Sequence, residues 1–487
     1  MHRLFPRLTT SVKQHPVLLY ALLFFAAFAL RAASFGTPFF SSDEEFYLFV
    51  GGRILSGDLP FVDVWDRKPI GIFLLYTVFH LFGEWRFWAY QIGATLSAAL
   101  TAIFIMRSAR IIAPLGGAFI AGLLYLGWIN VAHGGGGQTP IFYNALIAYA
   151  LYLMMSNIDS FDKKTINTVG IKVMALFGIA IQIKYTVVFE GIFAGLYLIY
   201  ALYRHTGRIS DLAKSIPLWV GTALLPTLIV FLFYVSLGYG HQWWFANVES
   251  IFLREKIEAR PNEIYMASIS AFLITPLVLH IIFERKRDKK EYFILLWSLS
   301  SWFGVFIVGD YFKHYVLPLF VPFFIAFAPL WTSRIGKIYL SLSTLIGFIT
   351  GEKIIYHSSH KERAEVMYDI HHIIIQNPGC SFEYNGPSSL QDVRPYCHIT
   401  PFLFPGHLNA THERNAIGVN QTFELKRVFS QNPLYIIDTI SHNSDPDITV
   451  QNTELFKEEI SQKYTPVYIS KPYKKEDQII LYRLKKP

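Results

Sequence analysis

Eleven apolar stretches, each close to the length of a membrane-crossing helix, occupy the first 351 residues of this 487-residue chain. They fall at about 16–34, 86–106, 111–130, 139–156, 169–185, 187–203, 216–237, 264–283, 291–309, 314–332 and 335–351. A spanning helix needs roughly 20 mostly apolar residues to cross a hydrocarbon core about 30 Å thick. Lipid offers the backbone no hydrogen bonds, so apolar runs of this length fold as helices. The chain therefore reads as a polytopic all-α membrane protein of about 11 transmembrane helices. Its charged content of 16% agrees, since a soluble domain carries about 25%.

The run 169–203 is too long for one span and short for two, and charge decides between them. Basic groups lie at Arg107, Arg110, Lys163, Lys164, Arg204, Arg208, Lys214, Arg334 and Lys337, and in the ERKRDKKE loop 284–291. With two spans in 169–203 and a cytoplasmic N-terminus, all of them face the cytoplasm, as the positive-inside rule requires. With one span, the 284–291 loop would lie outside. The basic start (Arg3, Arg7, Lys13) has the look of a signal peptide. An uncleaved first span is the reading taken, because cleavage would leave an acidic loop at a new N-terminus. The net charge is +9 over 1–351 and −1 after it, which places the basic excess in membrane loops. No basic stripe interleaved with aromatics suggests nucleic-acid binding.

The segment 41–84, in the first outer loop 35–85, gathers Asp43, Glu44, Glu45, Asp58, Asp63, Asp66 and Glu84 around Arg53, Arg67 and Lys68. Ser42 and Glu45 have the spacing of a capping box at a helix start. Capping accounts for Glu45 well and for Asp43 and Glu44 less well, which leaves the latter two open between structure and chemistry. In Asp63–Pro69 an Arg and a Lys precede a proline-started apolar helix, Lys68–Phe82, of about 15 residues, short for a span. It reads as a re-entrant or interfacial helix at the outer face. Cations at a helix start suit an anionic headgroup; simple snorkelling to lipid phosphates is the alternative. Asp66 either pairs with Arg67 or Lys68 or meets substrate.

The remaining outer loops give weaker signals. Gly134–Gly137, followed by Gln138 and Asn144, fits no nucleotide fingerprint; it reads as a flexible linker, or else as a close approach to a ligand or loop. His241, Trp243 and Trp244 could stack on a sugar or form an interfacial belt. His314 is a polar site or an ordinary helix end. Lys184 and Glu190 fall at the outer ends of spans five and six. The histidines, His371 and His372 included, lack metal-ligand spacing.

Residues 352–487 change character. Short β-like runs (SFEY, PLYIID, PVYIS, QIILYRL) between turn signals predict a small soluble α/β domain. With the parity above, it lies outside the membrane. Cys380 and Cys397, the only cysteines, are there expected to form a disulfide; two free thiols are the alternative. Sequons occur at Asn409 and Asn420.

Taken together, Asp43-Glu44 after the first span, the R-x-L-x-G-x-x-P-F stretch Arg53–Phe61, and the D-V-W-D-x-K-P stretch Asp63–Pro69 resemble a known family. This is the bacterial dolichyl-phosphate-mannose-protein mannosyltransferase-like group of GT-C glycosyltransferases, related to lipid A aminoarabinose transferases. The motif is specific over about 43–83; elsewhere the likeness is one of layout. The chain departs from the family where Ile70 replaces a second proline. It also departs between spans three and four, where Gln138 and Asn144 stand in a region that often has a carboxylate. A second essential carboxylate would then be Glu44, Asp63 or Asp66, or absent.

The resemblance implies a GT-C catalytic domain (1–351) with a small extracytoplasmic domain (352–487) in the cell inner membrane. It implies transfer of a sugar from a polyprenyl-phosphate carrier to an acceptor hydroxyl at the outer face. Asp43 is then the expected general base, with Glu44 as its nearest substitute. Lys68, Arg67 and Lys184 are expected at the donor phosphate. Asp63, Asp66, Trp243 and His314 are candidate substrate contacts. No nucleotide site is needed, since the donor is already activated; no cofactor is expected, and nothing in the sequence supports a divalent metal. The partners are the lipid-linked donor, membrane lipid and an unidentified lipid, glycan or protein acceptor. A transporter or flippase, which would place ionisable groups near the midplane, and a non-catalytic assembly protein are the competing readings.

Overall fold

The computed structural model describes residues 16–255, 260–283, 288–308, 312–359, 364–440, 449–472 and 477–485. Each of the eleven apolar stretches is helical within them. Among the described residues, nine helices, from Val17–Ser34 to Arg334–Ser358, are long and apolar enough to cross a membrane. Leu115–Val131 is a shorter apolar helix. The run 169–203 is indeed two helices, Lys163–Ile181 and Val188–Thr206, parted by a turn in which Lys184 is extended. The helix Ile70–His80 follows Pro69, as the short apolar run predicts.

The chain forms two compact units, each built from three separate stretches. The first comprises 1–35, 91–227 and 259–358. Its helices Leu115–Val131 and Arg334–Ser358 pack along each other through small residues. A Cβ on Gly351 would lie 2.8 Å from Cβ of Asn130 and 2.9 Å from the Gly127 carbonyl, so this approach needs glycine. Arg31 is buried at the end of the first helix. It donates to Thr95 Oγ1 at 3.1 Å, Gly134 O at 2.6 Å and Gly136 O at 2.5 Å. The four-glycine run is therefore a carbonyl cradle for a buried guanidinium, which corrects its reading as a flexible linker. A buried cation is tolerated only when its donors are satisfied, and glycines let backbone carbonyls come that close.

The second unit comprises 36–90, 228–258 and 359–487. Its four-stranded sheet contains β1 (Ser381–Asn385), β2 (Tyr435–Ile440), β3 (Tyr464–Ile469) and β4 (Gln478–Leu484). The order is β1-β2-β4-β3, with β1 parallel to β2 and the other pairs antiparallel. All four strands coincide with the predicted β-like runs. Cys380 and Cys397 are joined, with their Cα atoms 5.5 Å apart. The sequon residue Asn409 is buried and donates to Tyr384 O at 3.0 Å.

In the same unit the first-loop helices Ser42–Leu55 and Ile70–His80 lie against each other. Gly51 permits the contact: a Cβ there would sit 2.9 Å from the Tyr76 and Thr77 backbone. Residues 389–413 cover these helices. Arg53 pairs with Asp58 and donates to Cys397 O at 2.8 Å. His398 reaches Asp58 at 2.7 Å, Trp65 N donates to Pro401 O at 2.8 Å, and Asp392 meets His80 and Arg86 at 3.2 Å each.

Candidate active site

The helix Ser42–Leu55 starts one residue earlier than the capping-box spacing implies. Ser41 is the N-cap, and its side chain makes no capping bond. Glu45 points instead into the covering chain, where Ser389 Oγ donates to its carboxylate at 3.5 Å. Burial, with Glu383 and Glu44 nearby, holds its carboxyl well above the usual range. The three consecutive acids thus diverge around the first turn. Glu44 is fully buried and Glu45 nearly so, while the Asp43 side chain stays 19% exposed.

Asp43 and Lys68, 25 residues apart, meet at 3.2 Å. The turn before Pro69 sets the lysine. Asp66 Oδ1 accepts from the Lys68 backbone N–H at 2.8 Å and lies 3.9 Å from Lys68 Nζ. The ammonium sits 5.3 Å above the Tyr47 ring, one helical turn after Asp43. The far side of Asp66 faces His407 at 3.9 Å. Burial lowers the His407 pKa to about 4, so that ring is neutral at physiological pH and adds no charge. Trp65, Phe46, Phe402 and Phe404 surround it. The result is an ammonium between two carboxylates, partly open to solvent, on an apolar floor. It has the chemistry to pair with a phosphate and to leave a carboxylate beside it as proton acceptor.

Arg67 is engaged differently. Its fork makes a bidentate pair with Glu413, at 2.7 Å for Nη1, and its Nε donates to Ser250 Oγ at 3.0 Å. Its guanidinium lies 5.1 Å over the Trp65 ring. Arg254 Nε and His412 Nε2 reach the same Glu413 oxygen at 3.2 and 3.3 Å. Burial alone would raise the Glu413 pKa; bonds from His412 and Arg67 and the charges of Arg67 and Arg254 hold it well below the usual range.

The other candidates are distributed as follows. Asp63 accepts from Leu59 N–H at 2.8 Å, closing the turn that aims Trp65 inward. Trp243 is buried against Phe231, with ring centres 5.1 Å apart, while Trp244 is exposed. Lys184 and His314 belong to the first unit. Lys184 lies 4.2 Å over Tyr315, and with Tyr143, Glu190 and Ser301 it lines a cavity of about 20 Å³. His314 stacks on Phe312 and meets Tyr315 edge-on. Among the described residues, no group of three or more His, Cys, Asp or Glu side chains is placed to hold a metal ion. Glu413, His407 and Arg254 were not singled out in the sequence. Each lies outside any motif and reaches the site only through the folded chain.

Residues 66–234 match the family model described as dolichyl-phosphate-mannose-protein mannosyltransferase. No curated protein matches the chain by sequence. Among solved structures, the chain is similar to ArnT from Cupriavidus metallidurans bound to undecaprenyl phosphate. That match has TM-score 0.59 and 14% identity, and covers 96% of this chain and 97% of that one. It is also similar to the archaeal oligosaccharyltransferase AglB from Archaeoglobus fulgidus, solved with an inhibitory peptide and a dolichol-phosphate. There the TM-score is 0.52 at 9% identity, over 87% of this chain and 69% of that one. A third likeness is to the arabinofuranosyltransferase AftD from Mycobacteria, with TM-score 0.52 and 12% identity, over 96% of this chain and 40% of that one. The chain shares its fold with these structures.

Proposed function

We propose, taking as premise a multi-pass GT-C chain whose residues 66–234 match the mannosyltransferase family, that this protein is a membrane glycosyltransferase. It moves a sugar from a polyprenyl-phosphate carrier to an acceptor hydroxyl. The observation that carries the reading is the 3.2 Å pair of Asp43 with Lys68, with Lys68 inside the family-matched segment. Undecaprenyl phosphate bound to ArnT and dolichol-phosphate bound to AglB support a carrier of this class.

In this reading the carrier phosphate takes the Lys68 ammonium, which stabilises the charge that develops on the leaving phosphate. Asp43, released from the lysine, accepts the proton of the attacking hydroxyl. The acceptor oxygen forms the new bond to the anomeric carbon as the bond from that carbon to the phosphate oxygen breaks. The carrier phosphate departs with the bonding pair. A single inverting displacement needs no covalent nucleophile. Asp66 orients Lys68 through the backbone bond at 2.8 Å. Glu44, fully buried, is less accessible to an acceptor and serves as the substitute base. The transporter reading has no observation in its favour.

The test is incubation of the purified chain with a panel of polyprenyl-phosphate sugars, following release of carrier phosphate by mass spectrometry. Release that requires an added hydroxyl acceptor supports the reading. Binding of the carrier lipids without any transfer across the panel removes it. We also place the site and residues 352–487 on the periplasmic or extracellular side of the inner membrane, from the loop charges. A membrane-impermeant label that reaches the C-terminus only after the inner membrane is permeabilised would reverse that orientation.

A further inference from the structure

Sequence spacing assigns Arg67 to the donor phosphate together with Lys68. The side-chain geometry argues for a different division of labour. Three Arg67 nitrogens already have partners: Nη1 and Nη2 on Glu413, and Nε on Ser250. The face of its guanidinium rests on Trp65. Glu413, whose side chain is only 5% exposed, also receives Arg254, and His412 lies beside it. The backbone repeats the link, with Glu255 N donating to His412 O at 3.2 Å and Asn415 donating to Glu255 at 3.2 Å. One carboxylate therefore ties together three segments far apart in the chain: the first loop at 67, the stretch at 250–255, and the covering chain at 412–415.

A bidentate carboxylate fixes an arginine in plane and in distance, where a single charge contact fixes neither. Arg67 is the immediate neighbour of Lys68, so what fixes the Arg67 backbone also fixes where Lys68 begins. Asp66 on the other side makes the complementary bond to the Lys68 amide. A phosphate that took over the Arg67 fork would have to displace a buried carboxylate holding another cation.

We infer that Glu413 is a positioning residue. Its pair with Arg67 is a bracket that sets Lys68 for the carrier phosphate, and Arg67 is not itself a phosphate ligand. This rests on the reading that Lys68 holds that phosphate.

Undecaprenyl phosphate, titrated against the purified full-length chain, is the probe, with the melting temperature of each variant measured alongside. Glu413→Gln keeps the shape and loses the charge; Arg67→Lys keeps the charge and loses the fork. The bracket predicts that each raises Kd by about 10-fold or more, because small displacements of a binding group are costly. It predicts that the double variant is no worse than the weaker-binding single, and that Glu413→Asp recovers part of the loss. Arg67→Lys alone weakening binding, with Glu413→Gln neutral or tighter, would make Arg67 the ligand and overturn the inference. Lower melting temperatures with Kd unchanged in both variants would reduce Glu413 to a structural role and overturn it as well. A wild-type chain that binds no polyprenyl phosphate would instead remove the underlying reading, and the bracket's purpose with it.

Discussion

Replacing Asp43 by asparagine separates catalysis from structure, because the two contributions differ in size. The pair with Lys68 is 3.2 Å long, with side chains 19% and 23% exposed. Such a partly solvated pair contributes about 1 kcal/mol or less to folding, against a total stability on the order of 5–15 kcal/mol. Asparagine keeps the size of the side chain and an oxygen that accepts from Lys68. The variant should fold and melt within a few degrees of the parent. What asparagine lacks is a site for the acceptor proton. General-base catalysis is worth about 10²-fold or more, which is about 2.7 kcal/mol of barrier. The expected signature is therefore kcat down by about 10²-fold with donor KM little changed. The assay is carrier-phosphate release by the purified variant at saturating donor. If kcat holds and only donor KM shifts, Asp43 merely tunes Lys68. Near-normal transfer by Asp43→Asn with an inactive Glu44→Gln would move the role to Glu44, and normal transfer by both would reject the site.

Lys68→Ala removes the ammonium assigned to the carrier phosphate; donor affinity should weaken by about 1.5–3 kcal/mol, and an unchanged titration would count against the role. In β1, burial with Asp438 nearby raises the Glu383 pKa from 4.5 to about 8. The folded state thus keeps a proton that the unfolded chain gives up, so this stability is full below about pH 4.5 and drains as pH climbs towards 8, by at most about 1.4 kcal/mol per unit. Glu383→Gln should flatten the fall in melting temperature between about pH 5 and pH 8, and parallel curves for the two proteins would refute the assignment. Cys397→Ser opens a loop whose ends are 17 residues apart, and should destabilise the second unit by about 3 kcal/mol. Denaturant unfolding measures this, and an equal midpoint under reducing conditions for both proteins is the matching control.

The amino-acid sequence alone determined the membrane class, the helical stretches and the four strands. These depend on local quantities: apolar length, charge at segment ends, and alternation between turn residues. The run 169–203 divides where charge placement requires it, and SFEY, PLYIID, PVYIS and QIILYRL are strands because their pattern is complete within a few residues. The pairing of Asp43 with Lys68 was foreshadowed because both lie in one short loop that two helices fold back on itself. Tertiary structure decided what depends on distance through the fold. Glu413 lies 346 residues from Arg67, and no spacing rule joins them. The glycine run looks like a linker until Arg31, more than 100 residues away, is seen filling its carbonyls. Ser41 and Ser42 compete for one helix start, and Glu45 settles the matter by turning towards Ser389, whose position only the packed covering chain fixes. Apolar length is written into contiguous residues, but a charge finds its partner only once burial has removed the water that would otherwise serve it.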